Sequence, residues 1–203
     1  HMGQHRLIAG KDTPYDEDIR VPMVMRGPGV PAGLRIEALV GNIDLAPTIA
    51  EIAAAAIPNF VDGRSFLPLL QGPAQPWREA YLIERRRLEE QLVRQSKDTG
   101  LTPEKLDQTA VFNGIRTADS LYVEYGTGER ELYDLEADPF QLANRIDEAD
   151  PALLAALEER LSALARCTAD ECRRLEDLPL PEPRPLPGAD LHVTAQDAGV
   201  HVD

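Results

Sequence analysis

Gly3-Gln4-His5-Arg6-Leu7-Ile8-Ala9-Gly10-Lys11-Asp12-Thr13-Pro14-Tyr15-Asp16-Glu17-Asp18-Ile19-Arg20-Val21-Pro22-Met23-Val24-Met25-Arg26-Gly27-Pro28-Gly29-Val30 decides the reading of the fold. A charged loop broken by Gly and Pro runs into a short apolar segment. In residues 20–26, Val21, Met23 and Met25 alternate with Pro22 and Val24, so both faces are apolar. Such a run suits a buried strand in a helix-flanked sheet, and Pro22 near its start is tolerable. A turn-rich Gly27–Gly33 stretch leads to a second possible strand at 36–40. Residues 45–56 then predict a helix, with Asp44 as N-cap and Pro47 in the first turn. Leu45, Ile49 and Ile52 share one face of it, and Pro58 ends it. After the turn Asp62-Gly63-Arg64-Ser65, Ser65 is placed to cap a short helix through residue 70.

Gly72-Pro73-Ala74-Gln75-Pro76 marks a boundary. Beyond it, residues 79–84, 111–117, 120–125 and 131–135 read as strands. Ala118-Asp119 and Gly126-Thr127-Gly128-Glu129 are hairpin turns, so the runs predict an antiparallel meander. Residues 85–102 are highly charged and read as an exposed helix or an insertion. Residues 151–166 give the clearest helix, with Asp150 as cap and Pro151 in first position. Its stripe is Leu153, Leu154, Leu157, Leu161 and Leu164, with Glu158, Glu159, Arg160 and Arg166 facing out. From residue 176 onward the repeated prolines favour an extended tail. The expected organisation is therefore 3–75, 76–175 and a Pro-rich acidic tail, 176–203.

The chain has 203 residues, 43% apolar and only 5% aromatic, so aliphatic side chains must fill most of the core. Its 35 acidic against 21 basic residues give a net charge of −14. That balance argues against a nucleic-acid binder, which needs a basic face, and against docking on anionic lipid. No apolar run reaches the ~20 residues of a membrane span, and no basic-then-apolar leader opens the chain.

Cys167 and Cys172 are the chain's two cysteines. They form either a small-loop disulfide, which implies an oxidising compartment, or two free thiols. Two cysteines without nearby histidines do not make a four-ligand zinc set. By residue type alone, Lys11 is a solvated charge, His5 a surface histidine, and Asp12, Asp16, Glu17 and Asp18 a solvated acidic turn. The turn's spacing is not that of an EF-hand. The sequence has no nucleophile elbow, zinc-protease helix, Walker loop or dinucleotide fingerprint.

Gly3-Gln4-His5, Gly10-Lys11, Tyr15-Asp16-Glu17, Arg20-Val21-Pro22 and Gly27-Pro28-Gly29 follow one pattern in order. Asn42-Ile43-Asp44-Leu45-Ala46-Pro47-Thr48, Asp62-Gly63-Arg64-Ser65 and Leu67-Pro68-Leu69-Leu70 continue it. Ile115-Arg116-Thr117, Tyr122, Glu131-Leu132-Tyr133-Asp134-Leu135 and Asp138-Pro139 complete it. Together they resemble the C-terminal part of the type I sulfatases of the alkaline phosphatase superfamily, nearest to the arylsulfatase and N-acetylglucosamine-6-sulfatase-like enzymes. Gln4 and Asp16 depart from the family's usual residues. The resemblance implies an α/β to α+β fold. The closing segment of an alkaline-phosphatase-like α/β domain is followed by a small antiparallel sheet with a packed C-terminal helix.

For function, the resemblance implies sulfate-ester hydrolysis on an aryl or sugar sulfate. A formylglycine nucleophile and calcium clamp a tetrahedral anion. Lys11 matches the family's catalytic lysine, which contacts sulfate, and His5 falls on the substrate-binding side. Neither cysteine lies in the CxPSR motif, and the metal-binding motif expected before Gly3 is missing. The expectation is therefore that this chain holds no metal or formylglycine of its own, is inactive alone, and partners the N-terminal catalytic part of the same sulfatase. A non-catalytic interaction module remains a rival reading, as does part of a phosphatase or phosphonate hydrolase. A disulfide would favour an extracytoplasmic location.

Overall fold

The computed structural model describes residues 2–7, 10–72, 76–86 and 111–181. Its centre is a four-stranded antiparallel meander in the order β1 (Tyr81–Arg85), β2 (Phe112–Arg116), β3 (Ser120–Tyr125) and β4 (Arg130–Asp134). Ile115 faces Tyr122 across β2–β3, and Tyr122 faces Leu132 across β3–β4. Gly128 takes a φ of +100° in the β3–β4 turn, a conformation that glycine adopts without a Cβ penalty. All four predicted strands of this half are present, each within two residues of the expected bounds.

The sheet is apolar on both faces because its strands alternate with period two. On one face, Ile115, Tyr122 and Leu132 pack against Leu157, Leu161 and Leu164 of a helix, Pro151–Leu164. That helix begins as expected: the Asp150 carboxylate accepts from the Ala152 amide at 2.8 Å, and Pro151 follows the cap. On the other face, Phe112, Leu121, Val123 and Tyr133 form a second cluster. Tyr15, from the opening loop, covers it. A loop more than 100 residues away in sequence thus closes this face of the sheet.

Elements are fewer before the sheet. They are α1 (Asp16–Ile19) and α2 (Leu45–Ile52), with short 3-10 turns at Gln4–Arg6, Asn42–Asp44 and Leu67–Gln71. Residues 20–26 and 36–40 are not strands. No strand among the described residues runs beside them, and Pro22 has no N–H to donate. Val21 and Val24 are 58% and 94% exposed. The Leu39 carbonyl is instead taken by the Trp77 indole N–H at 2.6 Å.

Helix α2 ends at Ile52, short of residue 56. Ala54 adopts a φ of +51°, and residues 51–60 are exposed, so no packing extends the helix. Asp44 does not cap α2 with its side chain. It serves a buried network described below.

After the long helix, here α3, a short α4 (Asp170–Glu176) turns back along it, an element the sequence did not suggest. Arg160 does not point freely into solvent: its guanidinium donates to the carbonyls of Leu175 in α4 and of Leu178 and Pro179 beyond it. Cys167 and Cys172 are joined as a disulfide across the α3–α4 turn, which settles the open alternative. Residues 73–75 of the boundary, the charged stretch from residue 87 and the tail from 182 lie outside the described residues.

Candidate functional site

Two sets of side chains tie the first seventy residues to the sheet. The buried set centres on Asp44 and Arg78, both fully enclosed. Arg78 Nη1 and Nη2 donate to the two Asp44 oxygens at 2.6 and 2.7 Å. The same carboxylate accepts from the Gly41 amide at 2.8 Å and the Arg64 amide at 2.9 Å. Arg78 Nε lies 3.0 Å from Glu176 Oε2 as an ion pair, without hydrogen-bond geometry. Arg64 Nη2 donates to the same Glu176 oxygen at 3.0 Å. Arg78 also lies over the rings of Tyr81 and Trp77, at 4.9 and 5.2 Å. Burial alone would disfavour the Arg78 charge, but hydrogen bonds and attraction from Asp44 outweigh it and hold the guanidinium protonated. Gly63 is required here, because a Cβ would meet the Ile43 carbonyl oxygen at 2.1 Å.

The second set builds the loop that carries Lys11. The Asp16 carboxylate takes a side-on pair from Arg116 of β2, with Nε to Oδ1 at 3.1 Å and Nη2 to Oδ2 at 3.2 Å. The Asp16 amide donates to Gln141 Oε1 at 2.8 Å. Tyr15 stands edge-on to Tyr133, 6.1 Å between centroids, and its hydroxyl reaches the Glu131 carboxylate at 3.4 Å. Tyr125 donates to the same carboxylate at 2.9 Å. Burial is the main cause that pushes the Tyr15, Tyr125 and Tyr133 phenols above their ordinary range, with the Glu131 charge next.

Within the loop, Asp18 is buried and accepts from the Thr13 amide at 2.9 Å and from the Thr13 hydroxyl. Burial would raise its carboxyl; hydrogen bonds, those from Thr13 among them, hold it below the ordinary value. The Asp18 carbonyl in turn accepts from Lys11 Nζ at 3.1 Å. Asp16 and Asp18 are thus engaged, and of the expected solvated acidic turn Asp12 alone is exposed. Arg116 and Gln141 had no sequence signal beyond the strand motif around Arg116, because their partner lies 100 and 125 residues away.

Both residues singled out from the sequence rest on α1, from different sides. Lys11 is exposed and lines an open groove of about 1520 Å³ that also takes in Asp18, Arg26, Leu82 and Arg116. His5 stacks on Tyr15 with centroids 3.8 Å apart, and its Nε2 lies 3.5 Å from Glu17 Oε2. No hydrogen bond or ion pair joins Lys11 to His5 among the described residues. No three His, Cys, Asp or Glu side chains converge on a metal-sized point among them either. With Arg116 holding the Asp16 carboxylate, Thr13 holding that of Asp18, and both cysteines in a disulfide, these residues do not fit a calcium site or a formylglycine.

The architecture is that of the sulfatases. Residues 3–95 match the family described as N-sulphoglucosamine sulphohydrolase, C-terminal. The chain is 36% identical to goat (Capra hircus) N-acetylglucosamine-6-sulfatase over 190 residues, covering 85% of this chain and 34% of that protein. Among solved structures it is similar to BT4656, determined in complex with its substrate D-glucosamine-2-N,6-O-disulfate. The TM-score is 0.58 at 25% identity, over 76% of this chain and 29% of that one. BT1596, a 2-O GAG sulfatase, shares the fold with a TM-score of 0.59 at 24% identity, over 87% of this chain and 35% of that one. This chain is similar to the C-terminal part of the sulfatases. It spans about a third of the length of the curated relatives it matches.

Proposed function

We propose that this chain is the C-terminal portion of an enzyme that hydrolyses sulfate esters on aryl or sugar groups, with Lys11 contacting the sulfate. The observation that carries the reading is the placement of Lys11. Its Nζ is held at 3.1 Å by the Asp18 carbonyl, on a loop fixed to the sheet, and it opens onto the groove. Among the described residues one proton of the ammonium is engaged, which leaves two to donate to an anion. A compact charge with rotatable donors suits a tetrahedral sulfate oxygen and the oxygen of the departing alcohol. His5, stacked on Tyr15, would border the group that bears the sulfate. A sugar sulfate is favoured by the relatives' names, N-acetylglucosamine-6-sulfatase among them.

Residues 3–75 would then close the catalytic α/β domain, and 76–175 would form the smaller α+β unit. The nucleophile and calcium would belong to the N-terminal part of the same enzyme. That part would cover the apolar side chains left open on this chain, Val21, Val24, Ile49 and Ile52 among them. The disulfide supports an extracytoplasmic setting, and no described helix is long and apolar enough to cross a membrane.

The test is turnover of an aryl sulfate and of glucosamine-6-sulfate by the full-length protein that contains this chain. Lys11→Ala should lower kcat on the better substrate by about 10²–10³, the typical cost of removing one charge-stabilising donor, while the chain alone should be inactive. An unchanged kcat in Lys11→Ala, or turnover by the isolated chain, overturns the reading.

A further inference from the structure

The Lys11 loop has almost no regular structure of its own. Its own fixings are one turn of helix, α1, and the Thr13–Asp18 hydrogen bonds within the loop. What fixes α1 comes from the far half of the chain. Arg116 grips the side chain of its first residue, Asp16, and Gln141 accepts that residue's amide proton. Two residues on, the Asp18 carbonyl holds Lys11 Nζ. The sheet thus reaches Lys11 through one turn without touching it.

Gln141 carries a second mark. It is 1% exposed and sits at a φ of +54°, a conformation non-glycine residues seldom adopt. Its Nε2 has no hydrogen-bond partner among the described residues. A buried amide in a left-handed backbone, with one donor unmet, is unfavourable on its own. What it gains is the bond to the Asp16 amide.

We propose that Arg116 and Gln141 are positioning residues for Lys11: the antiparallel sheet sets the ammonium's place in the groove through Asp16 and α1. This rests on the reading of Lys11 as the sulfate contact, and it adds a role for the second half of the chain in the chemical step. Arg116 suits it because its planar fork fixes a carboxylate in direction as well as distance.

The experiment is a double-mutant cycle in the full-length protein, read as kcat and KM on the substrate that Lys11→Ala impairs. Arg116→Ala should lower kcat by about 10- to 100-fold, the scale set by an ångström of misplacement, with KM changed less than about threefold. Arg116→Lys keeps the charge but not the fork, and should recover little. In a Lys11→Ala background, Arg116→Ala should cost nothing more. A merely structural role would lower kcat equally in both backgrounds, and that result overturns the proposal, as does a single variant with unchanged kcat. If Arg116→Ala does not fold, Arg116→Lys decides by the same comparison. In the 203-residue chain, Gln141→Met should speed hydrogen exchange at the Asp16 amide, and unchanged exchange removes Gln141 from the scheme. Failure of the Lys11 reading is separable, since it appears in Lys11→Ala alone.

Discussion

Two arginine–carboxylate forks join the opening third of this chain to its sheet, and they differ in exposure. Asp44–Arg78 is fully enclosed, whereas the Asp16 and Arg116 side chains keep 14% and 12% of their surface. The enclosed fork is one part of a network in which Asp44 also holds two backbone amides and Arg78 also faces Glu176. The more open fork holds a single turn. Burial makes the first indispensable to the fold, since a charge stranded there has no water to fall back on. The second is less deeply buried, and beyond its share of stability its consequence is the placement of Lys11. The same kind of contact therefore acts as a bolt at one place and as a guide at the other.

The sharpest break in that comparison is Arg78→Ala. Removing one partner leaves Asp44 and Glu176 as buried carboxylates, and the expected loss is about 3–5 kcal/mol in urea unfolding. Arg116→Ala, at a pair that keeps 12% and 14% of its side-chain surface, should cost less in the same assay, about 1–3 kcal/mol. Equal losses at the two sites would erase the distinction between bolt and guide.

Alkaline titration sharpens it from another side. All five tyrosines are pushed above the ordinary phenol value of 10.0. Tyr81, beside the enclosed fork, is raised to about 12 by burial and by the Asp44 charge. Between those values the folded chain binds more protons than the unfolded one. The tyrosine contribution is thus complete below pH 10 and falls away as pH rises through about 12. Phenolate absorbance should appear only as far-ultraviolet circular dichroism is lost. A tyrosine ionising near its ordinary value in a chain that keeps its dichroism would contradict this.

The sheet half was legible in the sequence because its information is local. Period-two runs, glycine turns and the Asp150-Pro151 cap each lie within a few residues of what they specify. The opening half was misread in the same terms. The apolar run at 20–26 resembles a buried strand, but a strand needs a neighbour, and none stands beside it among the described residues. Asp44 was legible as a helix cap, a local role, whereas its partners Arg64 and Arg78 lie 20 and 34 residues on. Lys11 and His5 were found only through resemblance to a family. Gln141 escaped notice, and Arg116 was read only as part of a strand motif, because nothing near them in sequence mentions Asp16.

The smallest expected effect falls on the apolar side chains that the two forks leave uncovered. Val24 and Ile49 are 94% and 63% exposed, and Ile52 on the same helix is 57% exposed. Substituting side chains that already meet water removes little burial, so Val24→Asp and Ile49→Asp should each shift stability by no more than about 0.5 kcal/mol. Their effect should appear in association instead. Uncovered aliphatic surface of this kind drives self-contact, and two added carboxylates oppose it. The isolated chain should therefore sediment as a concentration-dependent mixture, and the double variant as a monomer with an unchanged unfolding midpoint. If the double variant unfolds more easily by several kcal/mol, those side chains are packed in solution. The opening third would then have a core of its own, and the forks would not be all that holds it to the sheet.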